Sequence, residues 1–314
     1  MTPIDGTRVR KADTSPGDKK EVREVVVGSM KAGNVKIGGK GNPCAIIAGP
    51  DVLEDLDEAI HIATELKRIC ERVGLPFIFK ASYDKGNRAD QRSYRGPLIE
   101  KGLEQLATIR SKVGCPVLTD VHTEEEAKVA GKVVDVIQLP AYLCMQTALT
   151  IAIAETGKPV NIKKGQFAPP RAMASVARKI ESVGNMNVFI TERGASFGYS
   201  DLVADFRNLP LTRSMGYPVV LDPTHIIRYP GISAQVPEGG EPEYVPHLCR
   251  AGVAAGVDAL FIETHPEPRK AACDAASMLR LKWVPELLEQ VAAIDKLVKA
   301  WDLSVRGRDE HGFV

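Results

Sequence analysis

Eight short apolar runs, regularly spaced, limit what this chain can fold into more than any other property of it. They lie at 44–49 (CAIIAG), 76–80 (PFIFK), 116–120 (PVLTD), 134–138 (VDVIQ), 159–163 (PVNIK), 187–191 (NVFIT), 218–222 (PVVLD) and 257–263 (VDALFIE). Most lack the apolar–polar alternation of a half-exposed strand and read as strands covered on both faces. Between them lie segments such as 53–74 and 98–114, with apolar residues at i, i+3 and i+4, the helical period. Gly74 and Gly114 close these two segments, as C-cap glycines do.

Strand and helix alternating eight times build a parallel sheet, and eight is the number that closes such a sheet into a (β/α)8 barrel of about 250 residues. The span 43–302 has that length, and no linker interrupts it, so the chain is read as a single α/β TIM-barrel catalytic domain. An open doubly wound sheet is the competing arrangement. It normally has fewer strands and a glycine fingerprint that is missing here. Ahead of the barrel, 21–42 alternates and holds a Gly-Asn pair, which predicts a β-hairpin capping the barrel bottom. Residues 1–20 read as a flexible polar arm without an apolar signal core, and 303–314 as a C-terminal tail.

Charge excludes some partners. With 41 Lys and Arg against 40 Asp and Glu, the net charge is +1, which argues against a general nucleic-acid or anionic-membrane surface. No apolar run approaches the about 18 residues that a spanning helix needs. The six cysteines form no C-x-x-C pair and suit free thiols in a reducing cytoplasm. Against this neutral average, residues 80–96 (KASYDKGNRADQRSYRG) hold three arginines and two lysines. A solvated basic loop and a grip on a phosphorylated substrate both fit that stretch taken alone.

The strand ends favour the grip. Read in order they carry Asp51, Lys80, Asp120 with His122, Gln138, Lys163 with Lys164, Glu192 with Arg193, Asp222 with His225, and Glu263 with His265. A barrel gathers its chemistry at the C-terminal ends of its strands. One charged strand end is ordinarily just solvated; eight on one rim are not. Lys80, Lys85, Arg88, Lys163 and Arg193 form a cationic group suited to carboxylate or phosphate. Asp51, His225, Glu263 and Asp274 form a second group, whose oxygen and nitrogen donors suit a hard divalent ion. By spacing alone the second group is equally an ordinary hydrogen-bond network.

The order of motifs adds a resemblance. IAGP (47–50), FKASYDKGNR (79–88), SYRGP (93–97), TDVH (119–122), IQLPAYL (137–143), VNIKKGQF (160–167), ERGASFGY (192–199), DPTH (222–225) and FIETHPEP (261–268) resemble the 3-deoxy-D-manno-octulosonate 8-phosphate synthase (2-dehydro-3-deoxyphosphooctonate aldolase) family over about 45–300. The resemblance implies condensation of phosphoenolpyruvate with arabinose 5-phosphate, releasing inorganic phosphate, in a homotetramer. It implies that Lys80, Ser82, Lys85, Gln138, Lys163 and Arg193 hold phosphoenolpyruvate, and that Asn87 and Arg88 face the sugar phosphate. Phe167 and Arg92 join the substrate contacts, and Asp120 and His122 serve orientation or proton transfer. It also implies a divalent metal on Asp51, His225, Glu263 and Asp274, with Mn²⁺ first and Fe²⁺, Zn²⁺ and Mg²⁺ behind it.

Several positions depart from the family pattern. Asp51 stands where metal-dependent members carry cysteine and metal-independent ones asparagine. Aspartate can ligate, which makes an all-hard site, or it can hydrogen-bond as asparagine does; metal-independence stays open. Ala89, Asp90 and Arg92 replace the family's serines and histidine, Met145 replaces an arginine, and PEGGEPE (237–243) replaces a loop bearing a cation. These changes leave a second acceptor class open, an unphosphorylated sugar or nucleoside aldehyde. Two other classes compete with the condensation: a Schiff-base aldolase using Lys80 or Lys163, and a non-catalytic binding protein.

Overall fold

The computed structural model describes residues 20–29, 33–88, 90–196 and 201–303; the expected arm and tail, apart from Lys20 and Leu303, and position 89 lie outside them. The eight apolar runs become β3 (Ala45–Val52), β4 (Phe77–Ser82), β5 (Val117–Asp120), β6 (Val136–Leu139), β7 (Val160–Lys163), β8 (Val188–Glu192), β11 (Val219–Leu221) and β12 (Ala259–His265). Two short strands, β9 (Ala195–Ser196) and β10 (Leu202–Val203), form a separate ribbon after β8. The eight long strands pair in parallel in sequence order, and β11 pairs with β12 while β12 pairs with β3. The sheet therefore closes on itself as a (β/α)8 barrel, as expected. Closure explains the missing alternation: one face of each strand meets the barrel interior and the other meets helices, and all eight strands are buried along their length.

The two helical segments appear with small changes at their ends. α1 (Leu56–Val73) starts where the Asp55 carboxylate accepts from the Glu58 amide at 2.9 Å and stops at Gly74, whose φ of 74° lies in the left-handed region. α2 (Ile99–Ile109) is shorter than 98–114, because Arg110–Gly114 widens into a π-helical turn.

The N-terminal hairpin is β1 (Glu24–Ser29) paired antiparallel with β2 (Gly33–Gly38). The Gly-Asn pair expected in the turn occupies the first two positions of β2, since Ser29 already faces Gly33 across the ladder. Val25, Val27, Val35 and Ile37 are buried in one apolar cluster with Ala45, Ile47, Ile78, Leu118, Val136, Val220 and Ala259. Apart from Val220, the middle residue of its three-residue strand, the latter stand in the first half of their strands, so the hairpin plugs the bottom of the barrel and leaves the opposite end for chemistry.

Candidate active site

Lys80 stands in the second half of β4, two residues before its end. Its Nζ donates to Ser82 Oγ at 2.8 Å and to the Asp51 carbonyl at 3.3 Å, and lies 3.6 Å from Asp120 Oδ1. Ser82 in turn donates to Asp120 Oδ1 at 2.6 Å. Across the mouth, Lys163 of β7 pairs with Asp222 Oδ2 at 2.9 Å. Both ammoniums lie over the ring of Phe261, 5.6 and 4.1 Å from its centroid. Phe261 faces inward two residues before Glu263, so strand alternation could have flagged it. Lys85, just past β4, makes a close ion pair with Asp51. Each lysine is thus fixed by a carboxylate, which sets where its charge points.

Arg193, after β8, is different. It is 7 % exposed, and its Nε and Nη1 have no hydrogen-bond partner among the described residues; neither has the Gln138 Oε1 beside the same mouth. A buried guanidinium with unused donors suits an anion. Burial holds its proton affinity, and that of Lys163, below the ordinary values, the latter despite Asp222. Lys164, which follows Lys163 just past β7, pairs with Glu192 at 3.2 Å.

Asp120 and His122 form a coupled pair at the end of β5. His122 Nε2 lies 3.4 Å from Asp120 Oδ2, and Nδ1 lies 3.3 Å from Glu126, which also accepts from Tyr83 at 2.6 Å. Burial would lower the His122 imidazole, but Asp120 and Glu126 outweigh it and raise it. Burial would raise Asp120, but Lys80 and His122 hold its carboxyl well below the usual range.

The second group also assembles. Asp222 Oδ2 lies 2.8 Å from His225 Nδ1, and Nε2 on the far side of the ring stands 3.6 Å from both Glu263 and Asp274. Burial pushes the His225 imidazole down to about 4 against the pull of Asp222, so it is neutral at neutral pH, as a ligand must be. Glu263 is 1 % exposed and neither carboxyl oxygen has a hydrogen-bond partner among the described residues. Burial, with Asp51 and Asp274 beside it, pushes its carboxyl well up. At Asp51 burial is outweighed by Lys85 and Lys80, which hold the carboxyl low. An unpartnered buried carboxylate facing a neutral imidazole fits a divalent cation. Asp51 (φ 70°) and Asp274 (φ 49°) are two of only three non-glycine residues in the left-handed region among the described residues. Such backbone costs about 1–3 kcal/mol and gathers at functional sites.

Not every expected residue joins. Arg92 has an 85 % exposed side chain held by Asp90 at 2.9 Å, so it neutralises Asp90 on the outer rim and stays clear of the cluster. Asn87 and Phe167 are exposed at the rim. Two unexpected residues do join. Arg228, beyond Asp222 and His225, donates to Asp274 Oδ1 at 2.7 Å. Cys273 lies in a triad of candidate ligands with Asp51 and Asp274, and Arg88 contacts its sulfur. The oxygen and nitrogen donors expected from Asp51, His225, Glu263 and Asp274 thus stand together, with the Cys273 thiol beside them. The only signal in sequence was its adjacency to Asp274.

Comparison with known proteins agrees with this arrangement. The DAHP synthetase I family model matches residues 22–300. A 2-dehydro-3-deoxyphosphooctonate aldolase from Geobacter sp. (strain M21) is 49 % identical over 276 residues, 88 % of this chain and 98 % of the relative. Proteins of the same name from Geotalea uraniireducens (strain Rf4) and Cyanothece sp. (strain PCC 7425 / ATCC 29141) are 47 % and 46 % identical, covering 87 % and 84 % of this chain and 100 % and 96 % of theirs. A closed barrel with its charged groups at one mouth, matched along nearly its whole length, has one assignment: the chain belongs to the DAHP synthetase I family.

Proposed function

We propose that this enzyme condenses phosphoenolpyruvate with an aldose phosphate, arabinose 5-phosphate, to give 3-deoxy-D-manno-octulosonate 8-phosphate and inorganic phosphate. The observation that carries this reading is the buried, partly unpartnered Arg193 facing carboxylate-fixed Lys80, Lys85 and Lys163. Preorganised cations of this kind stabilise an enol phosphate and the phosphate that leaves it. Arg193, Lys80, Lys85, Lys163, Gln138 and Ser82 hold phosphoenolpyruvate. Its C3 attacks the aldehyde carbon while water adds at C2. The hemiketal phosphate then loses inorganic phosphate by C–O cleavage. Asp120 and His122, hydrogen-bonded into the Lys80 network, orient the reacting groups and move the proton of the added water.

Asn87, Arg88 and Phe167 face the acceptor. Arg88 and Arg228 both stand at that end of the site, around Cys273 and Asp274, so the rim keeps two guanidiniums although the 237–243 loop has lost its cation. This supports a phosphorylated acceptor. The unphosphorylated alternative is not favoured, since relatives at 46–49 % identity are named for a phosphorylated product. The lysine pairings support an anion cradle over a Schiff-base lysine, which works best in an apolar pocket.

A divalent ion on Asp51, His225, Glu263 and Asp274 belongs to the same reading. When bound it supplies fixed positive charge beside the acceptor. No helix among the described residues is long and apolar enough to cross a membrane, which is compatible with a cytoplasmic enzyme. Tyr142 and Met145, apolar and exposed after β6, support a homotetramer, which sedimentation velocity checks.

The activity test is phosphate release from phosphoenolpyruvate with arabinose 5-phosphate, unphosphorylated arabinose or no aldehyde, with the 3-deoxy-ulosonate product identified by mass. Release with the phosphorylated sugar, at least tenfold above the other two, is the expected result. Equal or faster turnover of the unphosphorylated sugar overturns the acceptor assignment, and no release with either overturns the condensation.

A further inference from the structure

Six cysteines are buried in this protein, but they do not share one environment. Cys44, Cys70, Cys115, Cys144 and Cys249 sit in the apolar core between strands and helices. Cys273 does not. Its sulfur meets the Arg88 guanidinium, lies 3.6 Å from Asp274 Oδ1, and shares a cluster with Asp51 and Asp274 in which one donor atom from each residue lies within 4.8 Å of the others. His225, Glu263 and Asp274 make a second cluster of the same tightness, and Asp274 belongs to both.

Packing does not explain this placement. A structural thiol is satisfied by apolar neighbours, whereas this one is wedged among charges. Glu263 gives an independent indication that the space between the clusters suits a cation: it is 1 % exposed and neither of its oxygens has a hydrogen-bond partner among the described residues. Asp274 is oriented for the same purpose. Arg228 takes its Oδ1 at 2.7 Å, while Oδ2 faces His225 Nε2. An outer partner that leaves one oxygen directed inward is how a supported ligand is aimed.

We infer that Cys273 is a metal ligand, supplying from the segment after β12 the sulfur that position 51 does not provide, so that one ion is held by Asp51, Cys273, Asp274, His225 and Glu263. Binding releases the S–H proton to solvent and leaves a thiolate on the metal. A mixed thiolate, imidazole and carboxylate set favours Fe²⁺, Co²⁺ or Zn²⁺ over the Mn²⁺ or Mg²⁺ that an all-oxygen-and-nitrogen set suggests.

This inference rests on the metal reading above, and Co²⁺ separates the two. Full-length protein is stripped with chelator, dialysed against Co²⁺, and read by bound metal and by absorption. Expected are one Co²⁺ per chain and a near-ultraviolet sulfur-to-cobalt charge-transfer band, present in wild type and C144S and absent from C273S and C273A. Co²⁺ affinity in C273S should fall by at least the about 10–100-fold that loss of a supporting residue costs. Bound Co²⁺ without the band, or a band that survives C273S, overturns the role of Cys273 and leaves the metal site standing. No bound Co²⁺ overturns both. Should the Cys273 variants fail to fold, X-ray absorption of the Co²⁺-loaded wild type decides, through a sulfur shell near ~2.3 Å or its absence.

Discussion

The single arginine at position 193 shows how this site trades stability for binding. Its guanidinium is buried and two of its nitrogens lack hydrogen-bond partners among the described residues, an arrangement that costs folding energy and suits a bound anion. Arg193→Met should therefore lower kcat/KM for phosphate release about 10²–10³-fold with no loss of Tm. A fall of several degrees would show that the protein itself satisfies the group. The two histidines of the mouth should titrate in opposite directions. Histidine NMR, with H122N and H225N for assignment, should find His122 titrating above the ordinary imidazole value and His225 neutral down to about 4. The signs follow by linkage. His122 stabilises the fold fully below its unfolded value of ~6.5, and that contribution is lost as pH rises through its raised folded value. His225 does the reverse. As pH falls from ~6.5 toward 4 the unfolded chain takes up a proton the folded one refuses, so stability drops on acidification. A His225 signal that titrates at the ordinary value would remove the burial argument.

Among the elements, β3 and its junction with β4 decide the geometry of the mouth. The pairing of these strands shifts register between Ala48 and Asp51, a bulge that turns Asp51 into the barrel. Gly49 makes this close approach feasible: a Cβ there would stand 1.9 Å from the Lys80 carbonyl oxygen. Gly74, at the end of α1, has a positive φ but nothing within 4 Å of an added Cβ. Chemical denaturation should separate the two. Gly74→Ala should cost about 1 kcal/mol, and Gly49→Ala should cost several times more, displacing Lys80 and abolishing activity. Similar costs for both would mean that β3 yields where the bulge argument says it cannot. All eight barrel strands were readable from apolar runs, because a doubly covered strand needs no polar face. The bulge was not readable, since IAGPD has the composition of an ordinary strand end.

For the whole molecule, the two ends of the barrel have separate duties. The hairpin of β1 and β2 seals the bottom, with Ile37 fully buried in the inner cluster, while every candidate catalytic group stands at the other end. Ile37→Ala should cost about 2–5 kcal/mol in urea denaturation and leave kcat/KM unchanged at a temperature where the variant is folded. A matching loss of activity would mean that the plug reaches the mouth. The sequence by itself determined the barrel, the hairpin and most of the site, because strand periodicity places residues such as Lys80, Asp120, Lys163 and Glu263 on one rim wherever the strands close. Pairing partners were decided only by the tertiary structure. Which carboxylate fixes which lysine, that Arg193 keeps two nitrogens without hydrogen-bond partners among the described residues while Arg92 turns out to Asp90, and that Cys273 comes to Asp51 across 222 residues depend on side-chain directions at the closed mouth. Those directions arise from burial and charge balance among distant segments, and no local pattern in the chain encodes them.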